Sequence, residues 1–442
     1  MCSLNDDRHY LGDGPQCLQF PPEILVQVIG LLDKACDRRN ARLVCKGFAE
    51  AGLPSLTYTV NLSIAGGLLD RVQAIAEHPV VRKYISKMVC SGTRLPSNVV
   101  SYDNFKNCYR PSMRQTELSV PLPVIYEQLV SRDDKKKEII RRQRDQAVFL
   151  LALQRFVNLK RIVFTDVPLV GNIQDLARSQ GPDVASGGDL WDPYSPYRIL
   201  AVGFRSLYTQ GTNLQQLKIV GSSYAIRDRI FSDASQTYHG HMRHVFGKLR
   251  SFELVAIVTE ATVGDDPQAL TYGALGGLLT RATPLETLKL ASSYWPEEPP
   301  TEDDCPPSLD VATVLQGFTW PHLKHLGMRG FLMIGHEDLL GFFDRHRATL
   351  ESVELMAVRI LHHPDPQDTI CEAWKHLFNG LRRRGINFQT LKLFLLQDCY
   401  DLKGHFSQPD DPAYHGEKML KYLHHGDINP LEPVLPIPDM VA

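Results

Sequence analysis

Chemistry has few starting points in this chain. Cys45 sits directly against Lys46 in ARLVCKGFAEAG, Ala41 to Gly52. A thiol beside a cation can lose its proton more easily and act as a nucleophile. It also needs exposure and a base held by a third group. Helical spacing places Cys45 next to Val44 and three residues before Phe48, near an apolar stripe of Ala41, Val44, Phe48 and Ala49. A cysteine there is read as a packing residue, with Lys46 turned to water. The histidine pairs His362-His363 and His424-His425 are read as surface residues. Adjacent histidines diverge on a helix and alternate faces on a strand, so they do not make a metal site by themselves. No GxGxxG, P-loop, HExxH or GxSxG motif occurs. The sequence therefore leads to an expectation of no catalytic residue, no metal and no cofactor.

The elements that hold Cys45 begin upstream. In FPPEILVQVIGLL, Phe20 to Leu32, Pro21 and Pro22 suit a helix start, and Glu23 complements the N-terminal dipole. Ile24, Leu25, Val28, Ile29, Leu31 and Leu32 then form a wide apolar face on one short helix. DKACDRRN reads as a polar turn into a second helical stretch that Gly52 ends. Two or three short helices cannot bury that much apolar surface among themselves. Either the rest of the chain covers them, or another protein does.

The residues also match a pattern. Pro21, Glu23, Ile24, Leu25, Ile29, Leu32, Asp33, Arg42, Leu43, Val44, Cys45, Lys46 and Phe48 fall in register on the F-box pattern, which this stretch resembles. Phe20 stands where that family usually has leucine, and Arg38-Arg39 where many members have Leu-Leu. The resemblance implies docking on the adaptor Skp1 through Phe20, Pro21, Ile24, Leu25, Ile29, Leu32, Leu43, Val44, Cys45 and Phe48. It implies, through Skp1, a cullin-RING ubiquitin ligase.

Downstream, L-x-x-L-x-L spacing recurs. It appears in LKRIVF (Leu159), LQQLKI (Leu214), LRSFEL (Leu249), LETLKL (Leu285), LKHLGM (Leu323), LESVEL (Leu350) and FQTLKL (Phe388). The positions between are mostly polar, as a strand with one wet face requires. Helical stretches precede several of them, such as HEDLLGFFDRHRAT and CEAWKHLFNGLRRRG. Most steps are 35 to 38 residues, with one of 27 and one of 55. This resembles leucine-rich repeats. The usual Asn or Cys three residues after the third apolar position is replaced by Val167, Ser222, Ile257, Ser293, Phe331, Val358 and Leu396. SRDDKKKEIIRRQRDQAVFLLALQRF, Ser131 to Phe156, reads as one long helix that is basic at its start. SSYWPEEPPTEDDCPPSLD, Ser292 to Asp310, reads as an acidic surface loop.

Composition sets outer bounds. The chain has 442 residues, 43% hydrophobic and 22% charged, ordinary for a protein with a large core. A net charge of −2 gives no global attraction to nucleic acid or anionic membranes. The densest apolar run, Ala147 to Leu153, is far below a membrane span. Nine cysteines without a CxxC pair, and an N-terminus without an apolar signal core, point to the cytoplasm and/or nucleus.

The expected architecture is α/β: a short N-terminal helical F-box followed by an irregular leucine-rich-repeat-like α/β solenoid. The expected segments are a flexible tail (1–17), the F-box (18–54), the repeat domain (55–428) and a proline-rich tail (429–442). The expected role is a non-catalytic substrate-recognition subunit of a Skp1–cullin–F-box ligase, holding an unknown protein target. The alternative is an intracellular interaction scaffold outside a ligase, Skp1-bound or free. Neither nucleic acid nor membrane is expected as a partner.

Overall fold

The computed structural model describes residues 20–32, 35–41, 43–44, 46–52, 58–64, 67–92, 101–103, 106, 121–165, 198–222, 236–259, 273–295, 309–361, 370–394 and 412–425. The two tails named above lie outside these residues, as does the acidic stretch from Pro296 to Ser308. Three short helices come first: α1 (Pro22–Gly30), α2 (Ala35–Ala41) and α3 (Lys46–Ala51). Strands and helices then alternate: β1 (Tyr58–Ser63), α4 (Leu68–Glu77), β2 (Ile85–Ser91), α5 (Leu122–Arg141), α6 (Arg144–Arg155) and β3 (Arg161–Thr165). Next come α7 (Arg198–Thr209), β4 (Gln216–Ser222), α8 (Gln236–Phe246), β5 (Ser251–Thr259), α9 (Gly273–Leu279) and β6 (Thr287–Trp295). The series ends with β7 (Leu309–Asp310), α10 (Ala312–Leu315), β8 (His325–Gly335), α11 (His336–Arg345), β9 (Ser352–Leu361), α12 (Ile370–Arg383), β10 (Thr390–Phe394) and α13 (Pro412–His425).

All strand pairs are parallel, and the strands join one ten-stranded sheet in chain order, with β7 attached beside β8. Parallel neighbours need a crossover, and helices supply most of them. The path is open among the described residues, because β1 and β10 each have one strand neighbour.

The apolar spacing fixes which side of each strand faces inward. Met88, Ile162, Leu217, Phe252, Leu288, Leu326, Val353 and Leu391 form one buried row across the sheet. Cys90, Phe164, Ile219, Leu254, Leu290, Met328, Leu355 and Leu393 form the next. These rows join residues of α4 and α6–α13 in one hydrophobic core. Aromatic rings run through it: Phe149 to Phe164 at 6.5 Å, Phe164 to Phe204 at 5.8 Å, Phe204 to Phe246 at 6.1 Å and Phe246 to Phe252 at 5.3 Å. A Cβ at Gly203 would lie 2.3 Å from the Phe164 ring, so glycine there lets α7 approach β3.

Two buried polar groups are well matched. Asp145, fully buried on α6, receives Arg198 of α7 in a two-pronged bond, Nε to Oδ2 at 2.8 Å and Nη2 to Oδ1 at 3.1 Å. His346 bonds at both ring nitrogens: the Trp320 amide donates to Nε2 at 2.9 Å, and Nδ1 lies 2.8 Å from the Phe342 carbonyl. That pairing requires the neutral ring with its proton on Nδ1. Trp320 Nε1 in turn donates to the Leu279 carbonyl at 2.9 Å.

Two expectations are corrected. The stretch from Ser131 to Phe156 is not one helix: α5 and α6 are separated at Gln143, whose φ of 51° breaks the helical path. The second correction is to the architecture as a whole. The α/β class stands, but the leucine-rich-repeat-like solenoid behind an F-box is replaced by one parallel α/β sheet with helices. A short repeat would turn where Asn or Cys stands. Here β5, β6, β8 and β9 are nine to eleven residues long and continue past Ile257, Ser293, Phe331 and Val358. β8 also carries a bulge at Gly330, φ 82°, where the neighbour changes from β6 to β7. Val167 and Leu396 lie outside the described residues.

Candidate functional site

The N-terminal helices have a small core of their own, Leu25, Ile29 and Ala51, with Ala41 and Phe48 packed against it. The α1 start follows from Pro21: its carbonyl accepts from the Ile24 amide at 3.0 Å and the Leu25 amide at 3.2 Å. Pro22, which lacks an N–H, occupies the first turn, and Glu23 faces the helix dipole.

α1 carries two apolar stripes at helical spacing. Leu25 and Ile29 point inward. Phe20, Ile24, Val28 and Leu31, separated by four, four and three residues, are all exposed, Leu31 at 80%. A second outcrop follows α2. The amides of Leu43 and Val44 bond back to the carbonyls of Asn40 and Ala41, and this turn leaves the two side chains 85% and 72% exposed. Seven of the twelve large apolar side chains exposed among the described residues lie between Phe20 and Val44, a concentration that isolated exposed residues elsewhere do not match.

The ten residues singled out from sequence therefore fall into distinct places. Phe20, Pro21, Ile24, Leu43 and Val44 are on the surface; Leu25 and Ile29 are the inner wall; Leu32 and Phe48 are half-buried. Cys45 lies outside the described residues. Val28 and Leu31 were missed as surface residues, although the i, i+4, i+7 spacing from Ile24 carried the signal.

Chemistry elsewhere is muted. Cys90 faces the core on β2, and burial pushes its thiol far above the ordinary range, away from the nucleophilic thiolate. His424 lies 3.1 Å from the Phe388 carbonyl and ties α13 to the start of β10; His362-His363 lie outside the described residues. No group of three or more His, Cys, Asp or Glu side chains placed to hold a metal occurs among the described residues. No helix among them is long and apolar enough to cross a membrane.

No family model matches the chain, and no curated protein matches it as a relative. Among solved structures it is similar to a thermostable mutant of a xylanase (Xyn10A) from Cellvibrio japonicus. That match has 12% identity and a TM-score of 0.22, and covers 85% of this chain and 99% of the other. These findings correct the assignments made from the N-terminal and repeat resemblances. F-box family membership, leucine-rich repeats, the role of substrate receptor or scaffold in or beside a ubiquitin ligase, and the exclusion of enzymatic activity are all withdrawn. No family model supports them. A likeness this slight carries no activity to the chain either.

Proposed function

We propose that residues 20–52 are a docking element for a partner protein, and that Skp1, expected from the sequence, is the partner to test first. One observation carries this reading: exposed apolar side chains are concentrated on Phe20, Ile24, Val28, Leu31, Leu43 and Val44, around a core of three buried residues among those described. Covering such a surface is favourable at about 25 cal/mol per Å² of apolar area. Cytoplasm and/or nucleus is the proposed location, supported by nine cysteines without a CxxC pair.

The test uses purified full chain and purified Skp1. Retention of Skp1 is expected, with at least about tenfold weaker binding for Leu31→Asp/Leu43→Asp/Val44→Asp, since about 1.4 kcal/mol is lost for each factor of ten. No retention, or equal retention by the triple variant, would overturn the proposal. The variant should unfold like the parent, because none of the three positions is in the small core.

A further inference from the structure

The open face of the sheet carries charge in two groups that are built differently. At the lower margin, backbone bonds place Arg250, Glu286, Lys324 and Glu351 in succession. Their charges alternate and pair: Arg250 to Glu286 at 3.1 Å and Lys324 to Glu351 at 3.0 Å. That row is balanced.

The second group is not. Lys218 on β4 and Lys289 on β6 stand opposite Glu253 on β5, and Arg161 on β3 and Lys87 on β2 lie one row lower, two residues back in register; the next carboxylate of the Glu253 row, Glu354 on β9, is two strands beyond Lys289. Glu253 uses both oxygens: Oε1 takes Lys218 Nζ at 2.6 Å, and Oε2 lies 3.6 Å from Arg161. Lys87 and Lys289 have no ion pair among the described residues. The Lys289 stem leans toward Gly327, whose missing side chain leaves it room. Burial, then Arg161 and Lys218, hold the Lys87 pKa below its ordinary value, the condition that a bound anion would relieve. A local excess of cations in a chain of net charge −2 is not a by-product of composition.

The spacing selects the ligand. β2 to β6 is four strand steps, about 19 Å, which one small anion cannot span but about six extended residues can. Val89, Val220 and Val255 stand half-exposed on the same face, beside the cations. A carboxylate at the centre repels a continuous phosphate chain.

We propose that the β2–β6 face binds an acidic peptide segment of a partner protein, its Asp or Glu side chains against Lys87, Arg161, Lys218 and Lys289 and its apolar side chains against the valines. This site is separate from the N-terminal docking element and does not depend on it. The probe is a fluorescein-labelled twelve-residue peptide alternating Glu and Val, titrated into the full chain by anisotropy. A Gln–Val peptide and a twelve-nucleotide DNA strand serve as comparisons. Saturable binding of the Glu–Val peptide is expected, weakening as salt rises from 50 to 300 mM. Lys87→Glu/Lys289→Glu should weaken it at least about fivefold, and Glu253→Gln should strengthen it about two- to threefold, the modest size expected of rim charges. The gain in Glu253→Gln is the decisive sign, because loss of a merely structural charge would not improve binding. Lys289→Glu alone, at an exposed position, keeps the test interpretable if the double variant folds poorly. Equal binding of the Gln–Val peptide, tighter binding of DNA, or no effect of Lys289→Glu would each overturn the proposal.

Discussion

The body of the molecule and its N-terminal helices use the same apolar alphabet with opposite results. In the body, every strand from β1 to β6 and from β8 to β10 buries alternate residues beneath helices, and the result is one continuous core. In residues 20–52, α1 has apolar residues on most of its circumference, yet only one stripe finds a neighbour. The difference is supply of cover. A parallel sheet with a helix after most strands covers itself repeatedly, whereas three helices of six to nine residues cannot. Exposed Leu31, Leu43 and Val44 are what that shortage leaves.

Substitutions can break or sharpen this contrast. The largest effect is expected in the body. Phe252→Ala removes a fully buried ring in the Phe246–Phe252 contact and should cost about 3–5 kcal/mol in urea unfolding. Arg198→Met leaves Asp145 buried and uncompensated, for a loss of about 3–5 kcal/mol. Recovery of stability in Arg198→Met/Asp145→Leu would assign that loss to the stranded charge; no recovery would refute this account.

Gly330→Ala comes next. A Cβ there would fall 1.7 Å from the Ser292 carbonyl oxygen at a φ of 82°, and a loss of about 2–3 kcal/mol is expected. A melting temperature equal to the parent's would mean that the bulge rearranges freely.

A smaller effect depends on pH. Burial chiefly holds the His346 pKa below its ordinary 6.5; Arg345 pushes the same way, and the Phe342 carbonyl opposes. The unfolded chain therefore takes up this proton first as pH falls. The stability contributed by neutral His346 is complete above about pH 6.5 and is lost progressively below it, toward the depressed folded value. Urea midpoints between pH 7.5 and 5 should fall less steeply in His346→Gln; identical slopes would exclude His346 as the source.

The smallest expected effect lies in the N-terminal unit. Leu31→Asp and Leu43→Asp should each change stability by no more than about 0.5 kcal/mol, the range for surface sites. A loss comparable to that of Phe252→Ala would show these side chains covered by the body, and the contrast would disappear.

The strands were legible because one physical pattern, apolar residues at alternate positions flanked by polar ones, has a single solution on a sheet with one covered face. LKRIVF, LQQLKI, LRSFEL and LETLKL each place their second and third apolar residues in the two buried rows. What followed those residues was not legible. The spacing is shared by short repeats and by longer strands, and only neighbour pairing along β8 and β9 settled the lengths. The break at Gln143 was hidden because its cause is a backbone conformation that the side-chain types around it do not announce. Within the N-terminal segment, helices and caps were readable from Pro21, Pro22 and Glu23. The split between Leu25 inside and Leu31 outside was not, because apolar character is the same on both sides of α1.

By itself, the amino-acid sequence determined the α/β character, the phase of each strand and the apolar surplus of residues 20–52, since these depend on local spacing and residue type. Tertiary structure alone decided the single sheet in chain order, the gathering of Lys87, Arg161, Lys218 and Lys289 around Glu253, and which apolar residues stay uncovered. Those residues are separated by tens to hundreds of positions in the chain. Their proximity comes from backbone pairing between strands, a long-range interaction that no local pattern encodes.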